Sequence, residues 1–139
     1  MKITVLLRIA AAITFVFALG HTLGGVESWS PQGDTEVLRE MRSFRFDAMV
    51  SRTYWDFYVG FGFFIGVCLL LQATVLWQLG SIAKQNVLQV RSLVRSFVVA
   101  YLVFVVLAWR FIFAIPVIFS TAIAVCLVAA LFTSRHAES

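Results

Sequence analysis

Apolar residues in this chain gather into long runs separated by short polar links, so run length says more than any alternation within the runs. A helix needs about 20 mostly apolar residues to cross a bilayer. Four segments meet that test: 3–25, 54–79, 93–113 and 116–132, the last one short but sufficient if it stands upright. The Ala-Ile-Pro link at 114–116 is so brief that the last two spans must form a helical hairpin. Pro116 then falls in a first turn, where its missing N–H does no harm. The pattern predicts an all-α fold: an integral membrane four-helix bundle, in one domain covering 1–139.

The first loop is patterned differently. In "DTEVLREMRSFRFDAMV", helical phase puts Val37, Leu38, Met41, Phe44 and Ala48 on one face. Arg39, Glu40, Arg42 and Arg45 lie mostly away from that face. An amphipathic interfacial helix over about 34–49 follows, with Asp34 as N-cap and Glu36 in the favourable first turn. It reads first as a surface helix that seals the bundle end, with a lid over a ligand or a docking surface as alternatives.

Composition agrees with a membrane body. The chain is 61% hydrophobic and 13% charged, with a mean hydropathy of +0.94, against about 45–50% apolar and about 25% charged in soluble domains. With so few charges, the net +4 is better explained by residues flanking spans than by a nucleic-acid surface. Counting from both termini inside, the inner side carries Lys2, Arg8, Lys84, Arg91, Arg95 and Arg135 with only Glu138. The outer side carries Arg39, Arg42, Arg45 and Arg52, offset by Glu27, Asp34, Glu36, Glu40 and Asp47. The acid-free second loop therefore points to both termini in the cytoplasm. The N-terminal run invites a cleaved-signal reading, but Arg8 interrupts it and the apolar run continues, so a retained helix is expected. Cys68 and Cys126 sit within apolar runs, outside any CxxC, where a thiol behaves as a small apolar group.

The polar residues inside the spans are the candidates for chemistry. On the first span Ala10, Thr14, Phe17, Ala18, His21, Gly24 and Gly25 share one sector, which should face protein rather than lipid. Arg8 lies on the opposite side and can snorkel to the headgroups. Close helix packing is expected at three small-xxx-small pairs: Gly20 with Gly24, Gly62 with Gly66, and Ser120 with Ala124. Tyr54, Trp55 and Tyr58, with Trp29 and Trp109, make an interfacial aromatic belt. His21, Asp56 and Arg110 come from three spans at a similar depth, and intramembrane ionisable groups usually pair or line a polar cavity. One reading fastens three helices through an Asp56–Arg110 ion pair with His21 hydrogen-bonded to it. The other makes a lipid-headgroup or small-molecule site of His21, Thr22, Asp56, Tyr58 and Arg110. If that site is catalytic, His21 carries the proton, Asp56 orients it and Arg110 anchors an anion.

No metal is expected, since one His and one Asp fall short of a closed site. A haem held by two histidines is excluded because His136 lies in the opposite tail, while a haem or chlorophyll-type pigment held through His21 alone stays open. "GHT" ending the first span and "RTYWDFYVGFG" opening the second resemble a family of small, uncharacterised four-helix bacterial membrane proteins. That resemblance implies four spans and a bacterial inner membrane, and it carries over no catalytic residue. Two functions follow. One is a non-enzymatic accessory or scaffold subunit that packs against a membrane-protein partner or another copy. The other is a lipid- or isoprenoid-binding protein or enzyme built on His21, Asp56 and Arg110. Membrane lipids are expected partners of either, and no cofactor is predicted.

Overall fold

A computed structural model describes residues 2–25 and 33–135. Glu27, Trp29, His136 and Glu138 of the sequence reading lie outside the described residues. Five helices and one hairpin make up the fold: α1 (Ile3–Gly25), α2 (Glu36–Ser43), β1 (Arg45–Ala48), β2 (Val50–Thr53), α3 (Tyr54–Ile82), α4 (Val87–Phe111) and α5 (Ala114–Arg135). Four helices, α1, α3, α4 and α5, are long and apolar enough to cross a membrane. The protein is a multi-pass, essentially all-α membrane protein.

The residues fall into two compact units. The first comprises 1–17 and 69–139, the second 18–68. In the first unit, parts of α1 and α3 join α4 and α5 around one core that includes Leu6, Leu7, Leu76, Leu79, Val94, Tyr101, Ile123 and Leu127. Lipid tails are as apolar as leucine, so burying these side chains gives little drive to associate. Close van der Waals contact holds such helices together. It depends on small residues, here Ala10, Ala11, Ala83, Ala124 and Ala130, with Ser120 also buried. The large apolar residues turned outward, among them Leu71, Leu102, Val106, Ile118 and Val125, suit contact with lipid.

A polar thread runs through this core. Thr14 Oγ1 donates to the Ala10 carbonyl at 2.8 Å. The fully buried Tyr101 hydroxyl therefore donates to Thr14 Oγ1, 3.3 Å away. Buried polar groups must find partners, and this pair does so between α1 and α4.

Helix ends differ from the hydropathy runs where caps decide. α4 begins at Val87, not at 93, because the Asn86 side chain accepts from the backbone N–H groups of Leu88 and Gln89. Arg91 and Arg95 therefore lie on the helix. Only Ile112 and Phe113 separate α4 from α5, which forces the antiparallel hairpin. Pro116 is the third residue of α5.

The larger difference is in the second unit. The amphipathic helix is N-capped by Thr35, whose hydroxyl accepts from Leu38 N–H, and it ends at Ser43 rather than about 49. An antiparallel hairpin follows, in register Arg45↔Thr53 through Ala48↔Val50. From Phe44 the sequence alternates, F-R-F-D, and a strand separates Phe46 from its charged neighbours where a helix would not. Phe46 packs on Tyr54 and on Phe57, with ring centroids 5.1 Å and 6.1 Å apart. Met49, fully exposed at the tip, takes a positive φ of 64°.

Candidate functional site

His21 stands in the last two turns of α1. Its Nε2 lies 3.0 Å from the carbonyl oxygen of Gly62 on α3. A carbonyl only accepts, so Nε2 carries the proton and donates, leaving Nδ1 as the ring's remaining lone pair when the imidazole is neutral. One residue on, Thr22 lies against Gly66. A Cβ on Gly66 would stand 2.6 Å from Thr22 Oγ1 and 4.0 Å from His21 Cδ2. Gly62 and Gly66 are thus one turn of α3 that receives His21 and Thr22, the first through its carbonyl and the second through its missing side chain. The "GHT" of α1 and the "GFGFFIG" of α3 form one helix-to-helix clip.

Asp56 answers to its own helix. Its Oδ2 accepts from Thr53 N–H at 2.9 Å, while its own N–H donates to Thr53 Oγ1 at 3.0 Å. This reciprocal pair is a capping box at the start of α3, and it satisfies two backbone donors where the chain leaves the hairpin. The carboxylate also sits at the positive end of the helix dipole. The signal for it is present in the sequence as Thr53-x-x-Asp56 ahead of an apolar run. Asp56 and His21 do not hydrogen-bond each other; each is engaged elsewhere.

Arg110 lies in the last turn of α4, where a cation suits the helix dipole. Its guanidinium carbon is 5.3 Å from the ring centroid of Phe111. The one ion pair among the described residues joins Arg42 to Asp34, 3.5 Å apart and exposed. Within its own unit, Asp56 caps α3 through Thr53, and Arg110 in the other unit contacts the Phe111 ring.

The aromatic residues opening α3 tie the hairpin and α2 to it. Trp55 stacks on Tyr58 at 5.4 Å between centroids, and the Arg42 guanidinium lies 4.7 Å over the Trp55 ring. Beside them Arg52, Trp55, Asp56, Val59, Gly60 and Phe63 line an open cleft of about 300 Å³. His21 and Arg110 are not among its lining residues.

No family model, curated protein or solved structure matches this chain. What the site does is therefore argued from its geometry. Among the described residues no three His, Cys, Asp or Glu side chains are grouped closely enough to hold a metal ion.

The small-residue pairs divide into filled and open ones. Ser120 and Ala124 are buried in the first unit. Gly80, near the end of α3, is also closely approached, since a Cβ there would lie 3.3 Å from Arg8 Cγ and 3.4 Å from the Thr4 carbonyl. Gly20 and Gly24 have nothing within 4 Å of the position a Cβ would take. Those two glycines, next to the clip on α1, present a bare stretch of helix with exposed Leu23 between them.

Proposed function

We propose that the protein is a non-enzymatic accessory or scaffold subunit of a larger complex in a bacterial inner membrane, with both termini cytoplasmic. The observation that carries this reading is the contrast among its glycines. Gly66 and Gly80 are filled from α1, whereas Gly20 and Gly24 meet nothing. A small-xxx-small pair lets helix backbones approach closely, and an open one offers that approach to another chain. Two of the polar groups that the sequence offers for chemistry are engaged in local structure: His21 on the Gly62 carbonyl and Asp56 on Thr53. Exposed apolar residues of the α2–hairpin segment, Val37, Phe44, Met49 and Val50, suit a position at the membrane interface. The cytoplasmic assignment of the termini is supported by Lys2, Lys84, Arg91 and Arg95 on the side opposite the acid-rich first loop.

The test is purification of the tagged chain from its native membrane in mild detergent, with mass spectrometry of what accompanies it. A stoichiometric membrane-protein partner is expected. A chain that runs alone, and that crosslinks only to itself in intact membranes, overturns the proposal. An absorption spectrum of the same preparation addresses a haem or pigment held through His21, whose proposed ligand atom would be Nδ1.

A further inference from the structure

Arg8 should point to lipid by its phase on α1, yet it lies folded against α3. Its Cγ packs over Gly80, and its guanidinium carbon stands 4.8 Å from the centroid of the Trp77 ring. The Nε–H is buried with no hydrogen-bond partner. No ion pair compensates the charge, since the one such pair among the described residues is Arg42–Asp34. An intramembrane guanidinium held by an aromatic face alone leaves strong donors and a full charge unanswered.

Trp77, on which the Arg8 guanidinium rests, also lines a groove of about 420 Å³ between α1 and α3. It is lined by Ala11, Ala12 and Phe15 from one helix and Ala73, Thr74, Trp77 and Gln78 from the other. Arg8, Ala11, Ala12 and Phe15 are spaced i, i+3, i+4 and i+7, so they form one strip of α1 with the cation at its outer end. At 1.5 Å per residue, Arg8 lies about 7.5 Å and Phe15 about 18 Å along α1 from Ile3. One leaflet of hydrocarbon is about 15 Å deep. Measured from Ile3, Arg8 therefore stands about midway into the leaflet on the N-terminal side, beside Trp77, where its long side chain is within reach of the headgroups, and the strip ends near the bilayer midplane, walled by alanines and Phe15. Lys2 and Lys84 flank the same membrane face.

We propose that this groove binds one anionic phospholipid of the leaflet on the N-terminal side, its phosphate on the Arg8 guanidinium and an acyl chain along the Ala11–Ala12–Phe15 strip. A phosphate supplies the charge and the acceptors that Arg8 lacks, and the planar guanidinium is the side chain best shaped for it. The apolar strip distinguishes a lipid from a soluble anion, and the positive surroundings distinguish an anionic lipid from a zwitterionic one.

The test is native mass spectrometry of the full chain in mild detergent, with phosphatidylglycerol and phosphatidylcholine of the same acyl chains supplied equally. The wild type should retain phosphatidylglycerol over phosphatidylcholine by about fivefold, the factor one basic residue contributes at an anionic surface. Arg8→Gln should bring the two lipids to parity. Ala12→Phe, which fills the groove from an exposed position outside the core, should lose both. Inorganic phosphate in excess should displace neither. Equal retention by the wild type, a preference that survives Arg8→Gln, displacement by inorganic phosphate, or a protein copurifying in place of the lipid each overturns the proposal. If Arg8→Gln does not fold, Ala12→Phe decides: loss of bound phosphatidylglycerol supports the site, and undiminished retention overturns it.

Discussion

His21 is the residue on which the structural and chemical readings of this chain part. Its phase on α1 was enough to turn it toward protein, because the stripe through Ala10, Thr14 and Ala18 is buried. Its partner could not be read, because a backbone carbonyl has no residue-type signature in a sequence. The Nε2–Gly62 bond makes a prediction. His21→Ala should lower stability against detergent unfolding by about 1 kcal/mol, the scale of a hydrogen bond between membrane helices. A variant with unchanged stability and lost function would instead mark His21 as a chemical group. The cap at Asp56 is legible in the sequence, since Thr-x-x-Asp is a capping signature whatever its depth. Asp56→Ala should cost about 1 kcal/mol and fray the first turn of α3, while Asp56→Glu keeps the box; amide exchange at residues 54–57 checks both. Tyr101 was not singled out at all, and it is the largest fully buried side chain. Tyr101→Phe removes one hydrogen bond and should cost about 1 kcal/mol. Tyr101→Ala opens a cavity and should cost about 3–5 kcal/mol by thermal unfolding in detergent.

Among the elements, the four spans were readable because twenty apolar residues have only one place to go, and the backbone must be satisfied internally there. Their ends were less readable. α4 starts at Val87, behind Asn86, a polar cap that hydropathy scores as loop. The segment after Ser43 shows why amphipathic short stretches mislead: the same five apolar residues fit a helical face, yet the Phe44–Phe46 alternation and the Phe46–Tyr54 contact belong to a strand. Glycine pairs were recognisable as packing motifs, but sequence alone cannot say which are filled. Gly66→Val should destabilise the protein strongly, because Thr22 occupies the space its side chain needs. Gly24→Val should leave stability nearly unchanged, apart from helix propensity, since nothing stands within 4 Å. Equal losses of melting temperature in the two variants would show that the open face is filled within the chain.

At the scale of the molecule, the proposed scaffold role rests on a nearly all-apolar body in which His21 and Asp56 are tied into a clip and a cap. Its exposed small-residue face sits at Gly20 and Gly24, beside the clip that rigidifies that end of α1. Composition alone indicates the membrane, and depth alone groups His21, Asp56 and Arg110. Depth is a single coordinate, and local partners one turn away, Thr53 for Asp56 and Phe111 for Arg110, are invisible to it. The central claim is that the bare face of α1 docks another membrane protein. Site-specific photocrosslinking from position 23, which is 80% exposed between the two glycines, tests it in intact native membranes. The account predicts a crosslinked membrane protein other than this chain, lost in the Gly20→Leu, Gly24→Leu double variant at unchanged melting temperature. Crosslinks to lipid or to this chain alone, or the same protein captured by the double variant, would contradict it.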